Sequence, residues 1–197
     1  MSGRNLAVFH IASVHAGWFA CVMGAAAGFP FLGAFVVGGL LLSSLWIGSE
    51  SLSRAKAMAV VTLVGVAVDS CQMLAGLIVF DQTGGDPWAE PIAGLIVPVW
   101  MIALWLNFSI VLRPLLSFFR QRLLLAALLG GIGGVVAYRG GAELGALSLA
   151  GGTYALLSIG LAWSALFPFA VYVDARMATR ADGSLQGDRA GEEFVSC

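Results

Sequence analysis

Asp69, Ser70, Cys71 and Gln72 stand together inside the otherwise apolar run from Leu63 to Phe80, LVGVAVDSCQMLAGLIVF. A carboxyl at the middle of a membrane helix costs about 2.5–3.5 kcal/mol on insertion scales, so Asp69 must face protein or a water-filled cavity, not lipid. Gln72 follows three residues later on the same helical face, while Ser70 and Cys71 point elsewhere. A carboxyl so placed could carry a proton, serve as general acid or base, or anchor the polar head of a ligand. It could equally be a hydrogen-bonded brace between helices, and both readings stand on sequence alone. If Asp69 carries protons, Asp69→Asn lowers activity; unchanged activity and expression would remove that role.

His15 lies near the middle of the first apolar run, at a depth that would let it meet Asp69 and relay a proton, the carboxylate fixing the imidazole tautomer. Packing is the competing account of a single intramembrane histidine, and of His10 more so. Further along, Trp100, Trp105 and Asn107 share one apolar run, and the two tryptophans could wall a pocket for an acyl chain or polyene; bulky interior packing is the plainer account. Tyr138, Arg139 and Glu143 gather at one end of a later run. There Arg139 could hold an anionic head group or simply anchor the helix at the interface. With Asp69 and His15 as candidate catalytic groups, Gln72, Trp100, Trp105, Asn107, Tyr138 and Arg139 complete the candidate substrate site. No HExxH, Walker loop, nucleophile elbow or His/Cys cluster with metal spacing occurs. Neither a metal nor a cofactor is expected.

The elements that must carry these residues are set by composition. Of 197 residues, 59% are hydrophobic and only 11% charged, too apolar for an ordinary soluble domain. A membrane supplies the missing solvent, and apolar runs of about 18 residues or more cross its core as helices. The fold class expected is all-α, a polytopic bundle of six spans near 5–27, 31–48, 57–80, 92–112, 123–138 and 153–173. Pro98 falls inside the fourth, where it would kink the helix. Residues 1–173 then form the membrane domain, and the polar, mixed-charge stretch 174–197 reads as a disordered cytoplasmic tail. With both termini inside, nine of the ten Lys and Arg residues are cytoplasmic and only Arg139 is not, as the positive-inside rule requires. The acidic, turn-rich loop Asp81 to Pro91 then faces outward. Gly24 with Gly28, and Gly130 with Gly134, have the four-residue spacing that lets membrane helices approach closely; no inverted repeat is drawn from them. A net charge of -1 gives no reason to expect a nucleic-acid partner.

Four stretches, GWFACVMGA at Gly17 to Ala25, VGVAVDS at Val64 to Ser70, PVWMIALWLNF at Pro98 to Phe108 and LLGGIGGVVAYRGGAELGAL at Leu128 to Leu147, together resemble the bacterial membrane family called domain of unknown function 2878 (DUF2878). The resemblance implies an inner-membrane protein whose genes lie near those of lipid-modifying enzymes, of the cyclopropane fatty acid synthase type. It singles out Trp18, Asp69, Ser70, Pro98, Trp100, Trp105, Gly133, Gly134, Tyr138 and Gly145. The chain departs from the family pattern at Arg113 and Pro114, where a His-Ser pair is expected, and at Val135, where proline is. Three functions remain open: a polar intramembrane site around Asp69 that binds or helps modify a lipid-like molecule, a small proton-coupled transporter, or a non-catalytic partner of a membrane enzyme. A membrane lipid is the expected partner, with another membrane enzyme as the further candidate.

Overall fold

The computed structural model describes residues 3–47, 52–80 and 94–195, with side chains described at 12–44, 52–80, 94–110 and 118–177. The acidic loop at 81–91 and the side chains of His10, Arg113 and Pro114 lie outside the described residues. The described chain is all-helical: α1 (Gly3–Ala26), α2 (Leu32–Ile47), α3 (Leu52–Leu74), α4 (Val99–Phe119), α5 (Leu123–Glu143) and α6 (Thr153–Val195). Apolar side chains fill the interior and also cover much of the outer surface, and several polar ones are buried with them. Asp69, Asn107, Gln72, Ser70 and Ser109 are buried, while Phe35, Leu124 and Leu161 are 78%, 76% and 74% exposed. So much exposed apolar surface is stable only where the surroundings are themselves apolar.

Three of the six helices, not all six, are long and apolar enough among the described residues to cross a membrane: Leu52–Leu74, Leu123–Glu143 and Thr153–Met177. The other three contribute shorter apolar stretches, Ala12–Ala26, Leu32–Ser44 and Val99–Ile110.

Several boundaries differ from the sequence reading, for local reasons. α3 stops at Leu74 because Gly76 takes a left-handed conformation, and the chain to Phe80 leaves the helix extended. α4 starts at Val99, several residues later than expected, because Pro98 is its N-cap with an extended backbone. Pro98 therefore starts a helix instead of kinking one. α6 continues from Thr153 to Val195, through the stretch read from sequence as a polar tail.

Within α4, Pro114 has no N–H to offer the Ile110 carbonyl one turn earlier. That acceptor is taken by Arg54 at the start of α3, whose Nη2 donates to Ile110 O at 3.2 Å. Near the same end, Arg120 pairs with Asp174 at 3.2 Å and ties the end of α4 to α6. Arg54→Met, which keeps the apolar stem, is expected to lower stability by about 1–3 kcal/mol by stranding that carbonyl. Thermal melting in detergent measures this, and an unchanged midpoint would contradict it.

Candidate functional site

Asp69 has no exposed surface. Its Oδ2 accepts hydrogen bonds from the Trp105 indole N–H of α4 at 2.6 Å and from the Tyr138 hydroxyl of α5 at 2.5 Å. Gln72 Nε2 reaches Oδ1 only at 3.5 Å, and Gln72 Oε1 has no partner. One carboxyl oxygen thus joins three helices. Next to it, Ser70 Oγ accepts the N–H of Val97 at 3.2 Å, which pins the extended lead-in to α4 against α3.

The positions of Trp105 and Tyr138 follow from a local pattern that occurs twice. α3 and α5 each end in a left-handed glycine, Gly76 and Gly145. In both, the glycine N–H bonds back to the third residue before it and the next N–H to the fifth residue before that one, the Schellman arrangement. Three residues past each glycine, Val79 and Ser148 exchange backbone hydrogen bonds with each other, N to O, at 2.9 and 2.7 Å. Seven residues before the glycines stand Asp69 and Tyr138, also bonded to each other. Eleven residues before stand Gly65 and Gly134, where an added Cβ would collide with the rings of Trp105 and Trp163 respectively. Those two rings stack at 4.8 Å with 13° between their planes. Corresponding positions of α3 and α5 thus meet at Val79 with Ser148 and at Asp69 with Tyr138, and the space above each of Gly65 and Gly134 is filled by a ring from the helix that follows. α1 carries the same spacing from Gly17 to the left-handed Gly28, but the side chain filling the space above Gly17 is Asn107 of α4.

The correspondence is incomplete, and a cavity lies where it fails. α3 packs extensively on α6, whereas its counterpart α5 barely touches α4. Between α4 and α5 lies a cavity of about 510 Å³, covered by α1 and backed by α6. Its wall is apolar except for the indoles of Trp18, Trp100, Trp105 and Trp163, the Tyr138 hydroxyl and Asn107. The volume falls within the roughly 300–1,000 Å³ of ordinary small-molecule pockets. It is also elongated, since on α5 its lining runs from Leu129 to Gly141, about 18 Å at 1.5 Å per residue.

The residues singled out from sequence separate into three groups. Trp100, Trp105, Asn107 and Tyr138 line the cavity. Asp69 and Gln72 stand behind that wall, and Asp69 reaches the cavity only through Trp105 and Tyr138. His15 and Arg139 are elsewhere: His15 is on the exposed side of α1, and Arg139 pairs with Glu143 at 3.1 Å on the surface of α5. The structure does not bring His15 to Asp69, because the His15 side of α1 faces away from the bundle. Asn107 acts partly as a clamp: its Nδ2 donates to Val14 O of α1 at 3.0 Å, and its Oδ1 is held against Gly17.

The sequence reading missed Trp163 as a site residue, and it missed the paired role of Gly65 and Gly134. The signal for the two glycines was the recurring 12-residue frame GWFACVMGAAAG, GVAVDSCQMLAG and GVVAYRGGAELG at 17–28, 65–76 and 134–145. Among the described residues no group of His, Cys, Asp and Glu is arranged to hold a metal ion.

Comparison with curated proteins and with solved structures finds no match to this chain. Residues 7–169 match the family described as Protein of unknown function (DUF2878), and with most of its length in that match the chain belongs to that family.

Proposed function

We propose that this chain is a six-span, multi-pass protein of the bacterial inner membrane, both termini cytoplasmic, that holds a lipid-like molecule in the cavity between α4 and α5. The observation carrying this reading is the cavity itself: about 510 Å³, long, and almost wholly apolar, inside a bundle whose outer surface is apolar as well. An amphiphile's hydrocarbon part gains by filling such a space, and the nearly apolar wall leaves a polar solute short of hydrogen-bond partners. Asp69 serves this site as a positioning residue. It fixes Trp105 and Tyr138 in the wall and does not touch what the wall encloses.

Six spans are consistent with the three shorter apolar stretches lying alongside the three long helices. The charge count over the loops supports the orientation.

Organic extraction of the purified protein, followed by mass spectrometry, tests the reading. About one amphiphile per chain is expected, enriched over its share of the host membrane. An extract with the bulk composition of that membrane would contradict the proposal.

A further inference from the structure

From the geometry of α1 and α5 we infer that the cavity opens sideways into the bilayer, and that a single hydrocarbon chain of a membrane amphiphile enters there past Gly133. The inference rests on the lipid-binding reading above. α1 contributes Val14, Trp18 and Val22 to the cavity wall, and α5 contributes Leu129, Gly133 and Ala137. Yet these helices do not pack extensively on each other: α1 packs on α2 and α4, and α5 on α6. They approach toward one end, where a side chain at Gly140 would sit 3.7 Å from the Trp18 ring. Below that contact, Leu129 and Gly133 both line the cavity and are accessible, and no atom lies within 4 Å of a Cβ at Gly133, which places the opening at their level.

What lies outside the opening is set by the flanking surface. Phe19 and Met23 of α1, and Leu128, Ile132 and Val136 of α5, are all exposed there. A mouth edged by such residues meets lipid, and its occupant must come from lipid. The lining holds no charged side chain to pair with a charged head, which therefore stays outside while the chain enters. A helix from a partner protein, about 10–12 Å across, is too wide for the cavity. Gly133 matters because nothing lies within 4 Å of the position its Cβ would take. A larger side chain there projects into the mouth without striking the backbone.

The test uses the full-length protein with Trp46→Phe and Trp88→Phe, so that the remaining emission comes from the four cavity tryptophans. It is reconstituted in vesicles of phosphatidylcholine brominated in mid-chain. Contact quenching of that emission is expected, falling about twofold or more in Gly133→Phe and in the smaller Gly133→Leu, because a filled mouth excludes the chain. Both variants should melt like the parent. Quenching unchanged in both would overturn the portal and leave lipid binding standing. No quenching in the parent would overturn both, and stronger quenching by water-soluble acrylamide than by brominated chains would make the mouth aqueous and overturn the portal.

Discussion

Asp69→Ala lowers the stability of the folded protein by roughly 2–4 kcal/mol, because hydrogen bonds between membrane helices contribute about 0.6–1.7 kcal/mol each and the deleted carboxyl leaves a void. Two donors lose their acceptor at once, the Trp105 indole and the Tyr138 hydroxyl, and both residues are buried. Asp69→Asn behaves differently. Its remaining oxygen can accept both donors, and its amide can turn toward Gln72, whose Oε1 has no partner. The cost expected for Asp69→Asn is therefore small, under about 1 kcal/mol. Denaturation in detergent micelles separates the two variants. Equal losses would show that the negative charge, and not the acceptor geometry, is what the site requires.

Gly65→Leu is expected to prevent accumulation of folded protein. The Cβ direction at Gly65 points into the six-membered ring of Trp105, so a leucine there takes the space the indole occupies. Expelling that ring breaks its bond to Asp69 and its stack on Trp163 together. The smaller Gly65→Ala adds one methyl and is expected to cost about 1–3 kcal/mol, the usual penalty for overpacking. Combining Gly65→Ala with Trp105→Leu should recover part of that loss, since the smaller side chain vacates the contested volume. Size-exclusion profiles and melting midpoints read both results; a monodisperse Gly65→Leu protein with the parent's midpoint would contradict the packing described. Gly134→Leu against Trp163 should fail in the same way, because the same contact recurs there.

The helical class and the burial of Asp69 were legible in the sequence because they depend on composition and on the cost of one charge in lipid. That Gln72 shares a face with Asp69 followed from helical spacing. Which partners Asp69 would find did not follow. Matched depth suggested His15, but depth says nothing about which way a helix is rotated, and α1 turns His15 outward. Tyr138 was noted as an interfacial residue at the end of its run. α5 in fact continues to Glu143, which moves Tyr138 more than a turn inside the helix and onto its buried face. Pro98 was misplaced because the apolar run Ile92 to Leu112 has no polar break; only the left-handed Gly94 and the extended Pro98 show that the helix begins later. Glycine spacing invited a reading of close helix contacts. What it hid was that Gly65 and Gly134 yield their space to indole rings, a fact that depends on α4 and α6 and so could not be read from α3 or α5 alone.

The most direct measurement is an experimental density map of the protein purified with native lipid. A tube of density is expected in the cavity between α4 and α5, running from the opening beside Gly133 to the rings of Trp105 and Trp163. Density for ordered water in that space, or closure of α5 onto α4 with no space left, would contradict the account.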